Sequence, residues 1–252
     1  MSLKLIKTLC ETDTDDLEVL LFDFLAKNYA KVISKDGYYM FAEGNIPVCL
    51  IAHIDTVFDT YRNFVFDNPK WFFDADKNVL WKPYGSGFDD RAGIYSIIKL
   101  INAGFRPHVI FTIGEEIGGI GAQKIIEDYS KMPFDSCNFL IQIDRRGSND
   151  AVFYQCNNEK FIDYITSFDF VVAKGTYTDI SFIAPAWGIA AVNVSCGYYE
   201  EHTESEYLNI IECNATIEKI KMILEDNKKS KPFYYIPVDI FHMTKQDTVI
   251  GF

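Results

Sequence analysis

Two adjacent glutamates, Glu115 and Glu116, follow an apolar run in the stretch FTIGEEIGGIGA, residues 111–122. The run, residues 109–113, is typical of a buried strand, and Gly114 breaks it just before the carboxylates. Neighbouring like charges repel each other, and a carboxylate is costly to bury unless a partner compensates its charge. The pair therefore indicates a site at which negative charge is needed.

The same arrangement, an apolar run followed by an acid or a histidine, occurs at five places along the chain. Each could have a purely structural role on its own, such as a helix N-cap or an ion pair with a neighbouring arginine. One shared cause is simpler, because a pair of divalent cations would neutralise the carboxylates, and imidazole with carboxylate ligands suits zinc or a related ion. The residues are His53 and Asp55, Asp89 and Asp90, Glu115 and Glu116, Asp144, and His202.

The elements that must position these side chains are strands that alternate with helices. This alternation predicts a three-layer α/β/α sandwich with a mixed, largely parallel central sheet. Ligands of such sheets bind beyond the carboxyl ends of the strands, where the acids and histidines fall. We predict strands over residues 46–53, 109–113, 139–143, 152–155 and 189–194, and helices over residues 15–30, 92–103, 121–129, 158–167 and 205–225.

Two hairpins are predicted in addition. Residues 37–42 and 46–53 have the composition of strands, and the short segment between them, residues 43–45, is typical of a tight turn. The aromatic segment over residues 58–82 predicts a second hairpin with its turn near residues 76–78.

Composition limits the class of protein. The chain has 252 residues, of which 48% are hydrophobic and 24% charged, and its formal net charge is −12. One large core is feasible at this length, and so acidic a surface argues against nucleic acid and anionic membranes as partners. Six scattered cysteines, no secretory signal and no run of 18 apolar residues favour a reduced, cytoplasmic protein without a membrane span.

The motifs resemble those of the co-catalytic dizinc exopeptidases. That superfamily includes the leucyl and tetrahedral aminopeptidases, the tripeptidases, and the carboxypeptidase G and acetylornithine deacetylase group. The similarity covers residues 46–225 and is specific because all five motifs occur in the same order. The matching stretches are AHIDTV (52–57), GSGFDDRAG (85–93), TIGEEIGGIGA (112–122), QID (142–144) and GYYEEHTESEYL (197–208).

The resemblance implies a pair of divalent metal ions in each chain. His53, Asp89 and Asp144 would bind one ion, and Asp89 would bridge to a second ion that Glu116 and His202 complete. Zinc is the first expectation, and cobalt and manganese accept similar ligands.

The resemblance also implies the chemistry. A hydroxide that bridges the two ions would attack the scissile carbonyl, with Glu115 as the general base and acid. Asp55 would form a hydrogen bond with the far nitrogen of His53 and fix its tautomer. Asp90 matches a position that follows a cis peptide bond in this group.

The chain departs from its relatives because it has no room for their inserted lid or dimerisation domains. Only 36 positions separate His53 from Asp89, and 58 separate Asp144 from His202. We therefore expect a single catalytic domain over residues 1–252, with a tail of unassigned role, residues 228–252. Substrate specificity and oligomeric state cannot be transferred from relatives that carry those domains.

The sequence favours an exopeptidase that acts on short peptides, most simply an aminopeptidase. A deacylase of N-acyl amino acids, a carboxypeptidase or dipeptidase, and a metal-binding protein without catalysis remain alternatives. Arg145 could bind a substrate carboxylate or balance the acidic rim, and Asp179 could lie near the substrate or cap a helix. The candidate substrate contacts are Arg145, Tyr177, Asp179, Tyr198 and Tyr199.

Overall fold

The fold is taken from a computed structural model, which describes residues 3–58, 70–226 and 232–238. Its helices are α1 (Lys4–Glu11), α2 (Thr14–Asn28), α3 (Phe88–Asn102), α4 (Ile120–Asp128), α5 (Glu159–Thr166), α6 (Asp179–Trp187) and α7 (Ile210–Asp226). Its strands are β1 (Val32–Lys35), β2 (Tyr39–Ala42), β3 (Ile46–His53), β4 (Phe72–Asp74), β5 (Val79–Trp81), β6 (Pro107–Thr112), β7 (Leu140–Arg145), β8 (Asp150–Val152), β9 (Val171–Val172), β10 (Ala191–Ser195), β11 (Tyr198–Tyr199) and β12 (Tyr207–Asn209).

The large sheet has the strand order β1-β2-β6-β3-β7-β10-β8-β9. Its four central strands, β6, β3, β7 and β10, are parallel, and the antiparallel pairings lie towards its two sides. The predicted mixed, largely parallel sheet is therefore confirmed.

Helices cover both faces of this sheet, as the predicted three-layer sandwich requires. Successive side chains of a strand point to opposite faces. In β3, Leu50 and Ala52 join the core beneath α1, α2, α3 and α7, whereas Cys49 and Ile51 join the core beneath α4 and α6. The central strands are apolar on both faces because both faces are covered.

The predicted hairpin between residues 37–42 and 46–53 is wrong. β6 lies between β2 and β3, and the hairpin partner of β2 is β1, a strand that was not predicted. Both β2 and β3 are buried almost throughout, as is typical of strands that lie inside a sheet covered on both faces. Gly44 lies where the chain crosses β6, since an added Cβ would overlap the Arg106 carbonyl oxygen.

A second, four-stranded sheet has the order β11-β12-β5-β4. The hairpin of β4 and β5 confirms the predicted turn near residues 76–78, while residues 59–69 of that prediction lie outside the described residues. The helix predicted from residue 205 begins only at Ile210 because β12 pairs with β5 first.

The remaining predictions differ in their ends. The helices predicted over residues 92–103, 121–129 and 158–167 are confirmed within a few residues, and the strand predicted over residues 152–155 lies earlier, at β8. Part of the C-terminal tail is described, and there Phe233 accepts a backbone hydrogen bond of 3.0 Å from Ala190. Within the described part of the chain, no helix has both the length and the apolarity to cross a membrane.

The contact between α3 and β7 fixes the start of α3 against the sheet. An added Cβ at Gly93 would overlap the Ile143 carbonyl oxygen and the Asp90 carboxylate. The Gly93 amide also donates a 3.0 Å hydrogen bond to Asp90 Oδ1. Gly93 is needed here because two backbones approach closely.

We predict that Gly93→Ala lowers the free energy of unfolding by about 2–3 kcal/mol, because β7 or the helix must move to admit a methyl group. Denaturant unfolding measures the change. Lys99→Ala, on an exposed position of the same helix, is the control and should stay within about 0.5 kcal/mol of the parent. Unchanged stability of Gly93→Ala would contradict the close contact.

Candidate active site

The carboxyl ends of the central strands bring the predicted residues to one place. His53 is the last residue of β3, Glu115 and Glu116 follow β6, and Asp144 lies near the end of β7. Asp89 is at the start of α3. His202 comes from the other sheet, in the turn that joins β11 to β12.

These residues form two groups that share Asp89. One group is His53, Asp89 and Asp144; the other is Asp89, Glu116 and His202; within each, the possible ligand atoms lie within 4.8 Å of one another. Asp89 Oδ1 lies 3.2 Å from His53 Nε2, and its Oδ2 lies 3.2 Å from His202 Nε2. The two oxygens of one carboxylate therefore face two different imidazoles.

The donor set fits a pair of divalent cations. Glu116 Oε2 lies 3.0 Å from His202 Nε2, while Glu116 Oε1 is buried and has no hydrogen-bond partner among the described residues. Burial, opposed by His53, raises the pKa of Asp144 to about 7. A cation would satisfy the unpartnered oxygen and stabilise the ionised carboxylates, and imidazole and carboxylate are ligands of zinc.

Asp55 holds both His53 and the loop of the two glutamates. His53 Nδ1 donates to the backbone carbonyl of Asp55 at 3.0 Å, and the Asp55 carboxylate lies 3.5 Å from the same nitrogen. Because a carbonyl only accepts, Nδ1 carries a proton, and Nε2 is the nitrogen that could give its lone pair to a bound cation. The carboxylate accepts backbone N–H groups from Gly114 at 2.8 Å, Glu115 at 3.3 Å and Glu116 at 3.2 Å.

The adjacent glutamates face different surroundings. Glu116 points to His202, whereas Glu115 lines the cavity, and its carboxylate interacts electrostatically with His53. Burial, opposed by His53 and reinforced by the nearby carboxylates of Asp144 and Asp179, raises the pKa of Glu115 to about 9. A cation bound beside Glu115 would lower this pKa again, because positive charge favours the ionised carboxylate, which can then accept a proton and later donate it.

The segment that carries Asp89 is held by a residue whose role the sequence did not reveal. Glu206 is fully buried and accepts backbone N–H groups from Ser86 at 3.1 Å, from Gly87, and from Asp89 at 3.0 Å. In the sequence, Glu206 is indistinguishable from a surface acid, because its burial depends on the pairing of β12 with β5. The peptide bond between Asp89 and Asp90 is cis, as the resemblance implies.

Asp144 is held by three neutral donors. Thr178 Oγ1 donates to it at 2.8 Å, Gln142 Nε2 at 3.1 Å and the Tyr198 hydroxyl at 3.2 Å. Thr178 is also the N-cap of α6, so the helix and the carboxylate position each other. Tyr198, a predicted substrate contact, lines the cavity but is only 2% exposed.

The other predicted substrate contacts have different surroundings. Arg145 and Tyr177 line the cavity, and the Tyr177 hydroxyl lies 3.4 Å from the Glu115 carbonyl oxygen. Asp179 is fully buried outside the cavity lining and accepts a 2.5 Å hydrogen bond from Thr112.

Tyr199 also lies outside the lining of the cavity. Its hydroxyl donates a 2.5 Å hydrogen bond to Glu212. The cavity itself has a volume of about 530 Å³. Besides the predicted residues, it is lined by Arg146, Tyr154, Lys174, Gly175, Thr176, Asn193 and Glu201.

Comparison with known proteins gives matches only at the level of structure. No family model matches the sequence, and no curated protein does. The structure is similar to aminopeptidase PepT from Bacillus cereus, with a TM-score of 0.66, 14% identity, and coverage of 89% of this chain and 97% of that one. A tripeptidase from Staphylococcus aureus matches with a TM-score of 0.68 and 13% identity, and the match covers 90% of this chain and 98% of that one. An aminopeptidase from the archaeon Desulfurococcus kamchatkensis matches with a TM-score of 0.66 and 14% identity, over 89% of this chain and 94% of that one.

The chain has the fold of these peptidases. The resemblance that the five motifs indicated is therefore confirmed at the level of the fold, over about nine-tenths of the chain. At identities of 13–14% the likeness does not assign an activity, and that assignment depends on the geometry of the site.

We predict that Asp55→Asn lowers the free energy of unfolding of the chelator-treated protein by about 2–3 kcal/mol. One acceptor oxygen becomes an NH₂ group that faces backbone N–H donors of the 114–116 loop, which leaves buried donors without partners. Thermal and denaturant unfolding measure the loss. Asp76→Asn, at an exposed turn position, should have little effect; equal stability of the two variants would show that the Asp55 carboxylate does not hold this loop.

Proposed function

We propose that the chain is a metal-dependent exopeptidase that hydrolyses short peptides, most simply from the amino end. The observation that carries this proposal is the pair of imidazole–carboxylate groups that share Asp89, with Glu115 beside them in the same cavity. The similar structures are named aminopeptidase and tripeptidase, which supports peptide bonds as the target.

The residues that would hold the ions divide between the two groups. His53 and Asp144 would hold one divalent ion, Glu116 and His202 the other, and Asp89 would contribute an oxygen to each. Zinc suits this donor set, and cobalt and manganese accept similar ligands. When bound, such ions polarise a carbonyl and make water more acidic.

The chain's own side chains account for the rest of the chemistry. Glu115 accepts a proton on its carboxylate from the attacking water and then donates that proton to the nitrogen of the leaving amine. Asp55 fixes the proton of His53 on Nδ1 and sets the loop from which Glu115 extends. Tyr198 and Thr178 hold the Asp144 carboxylate in its orientation.

We predict that chelator-treated protein binds two divalent zinc ions per chain, because each group supplies three ligand atoms. Calorimetric titration measures the stoichiometry. His202→Ala should keep one tight site and weaken or lose the other, since His202 belongs to only one group. Zinc at about 100 times the Kd of a site should stabilise the fold by about 2.7 kcal/mol for each occupied site. A chain that binds no zinc tightly contradicts the proposal.

We predict that Glu115→Gln binds both ions with unchanged stoichiometry but has a kcat at least about 100-fold lower on short peptides, since an amide cannot accept the proton. Steady-state kinetics on the zinc-loaded protein measure kcat. Glu127→Gln, an exposed glutamate on α4, should retain full activity. A Glu115→Gln variant as active as the parent would refute the assignment of Glu115.

A further inference from the structure

The charges that line the cavity do not cancel once the proposed ions are counted. Four of its carboxylates, those of Asp89, Glu115, Glu116 and Asp144, belong to the proposed centre. Two divalent ions carry four positive charges and would balance these four carboxylates. The charge left over then depends on the other lining residues that carry a formal charge at neutral pH, which are Arg145, Arg146, Lys174 and Glu201.

Both arginines of the lining have acidic partners. Arg145 donates from Nη2 to Asp150 Oδ2 at 2.9 Å and from Nε to the same oxygen at 3.1 Å. Arg146 Nη1 donates to Glu201 Oε1 at 2.5 Å. Each guanidinium is therefore already compensated by a carboxylate of this chain.

Lys174 is the remaining cation of the lining. Among the described residues, no carboxylate forms an ion pair with it, and its side chain is exposed at the rim of the cavity. Counted over the residues that the structure describes, the ion-loaded cavity would thus present one positive charge without a partner. A ligand with a single anionic group would compensate that charge.

The backbone around Lys174 is held at both ends. The Ala173 amide donates a 2.9 Å hydrogen bond to the Ala151 carbonyl oxygen at β8. Gly175 packs closely, since an added Cβ would lie 3.0 Å from Val152 and 3.1 Å from the Tyr154 ring. Beyond Tyr177, Thr178 caps α6 and contacts Asp144. The base of the lysine is therefore fixed relative to the proposed centre, while its ammonium stays on a flexible stem.

We propose that Lys174 is a specificity-determining residue that binds the free α-carboxylate of dipeptide and tripeptide substrates. This inference rests on the proposed function, because it places the scissile bond at the ion-binding groups. A cavity of about 530 Å³ has a mean width of about 8 Å, taken as the cube root of its volume. Because an extended residue spans about 3.3–3.6 Å, a peptide of two or three residues fills the cavity. The flexible side chain of Lys174 can reach the α-carboxylate of a dipeptide and that of a tripeptide, which lie at different distances from the ion-binding groups.

The test compares each peptide with its C-terminal amide, which lacks the negative charge. The zinc-loaded protein is given dialanine and trialanine as free acids and as amides, and kcat and KM are measured separately. We expect the KM of the free acids to be about tenfold lower than that of the amides, the lower end for a hydrogen bond between charged groups. Lys174→Met should remove this difference by raising the KM of the acids, with kcat within about twofold of the parent.

Two further variants separate charge from packing. Lys174→Arg should retain the preference for the free acids, and Lys131→Met, at an exposed position outside the cavity lining, should leave every constant unchanged. Equal KM values for acids and amides in the parent would overturn the role of Lys174 while the proposed function stands.

A binding measurement gives a readout that does not depend on turnover. A phosphinic isostere of dialanine, as free acid and as C-terminal amide, is titrated calorimetrically into the parent and into Lys174→Met. The acid should bind about tenfold more tightly than the amide to the parent alone; equal Kd values would overturn the inference. If no peptide is cleaved, the proposed function fails, and this ratio of Kd values still decides the role of Lys174.

Discussion

Mutual repulsion between carboxylates governs the construction of this site. Asp89, Asp90, Glu115, Glu116 and Asp144 meet at one edge of the sheet, and burial raises the pKa values of Asp90, Glu115 and Asp144. The surrounding chain supplies hydrogen-bond donors that separate these carboxylates and fix their orientation. Asp144 alone has three neutral donors. The fold thus stabilises an arrangement that needs external positive charge to become fully favourable.

Acids outside the two ion-binding groups organise the backbone around them. Asp55 accepts three consecutive N–H groups of the loop after β6, and Glu206 accepts three from the segment before and at the start of α3. Asp90 accepts N–H groups from His53 and Gly93. In each of these turns, backbone N–H groups that no backbone carbonyl of the turn accepts donate to the carboxylate instead. The carboxylates therefore hold the loops in one conformation.

The sequence predicted the central strands and the residues at their ends, because apolar runs of about five to eight residues that stop at polar ones are typical of buried strands. It did not predict that β6 separates β2 from β3, since adjacency along the chain says nothing about which strand is inserted later. The role of Glu206 could not be predicted either, because its burial arises from the pairing of two short strands. The alternatives for Asp179 were open because Thr178 and Asp179 both suit a helix start.

The two imidazoles of the site differ in their solvent exposure and in the element that carries them. His53 ends a central strand and is 1% exposed, whereas the His202 side chain is 49% exposed and sits on a two-stranded turn with a backbone φ of 61°. An ion held beside His202 would border on solvent, and displacement of that one turn would remove one of its three protein ligands. The ion beside His202 would then exchange faster than the ion beside His53, and a singly occupied form would be populated whenever metal becomes scarce.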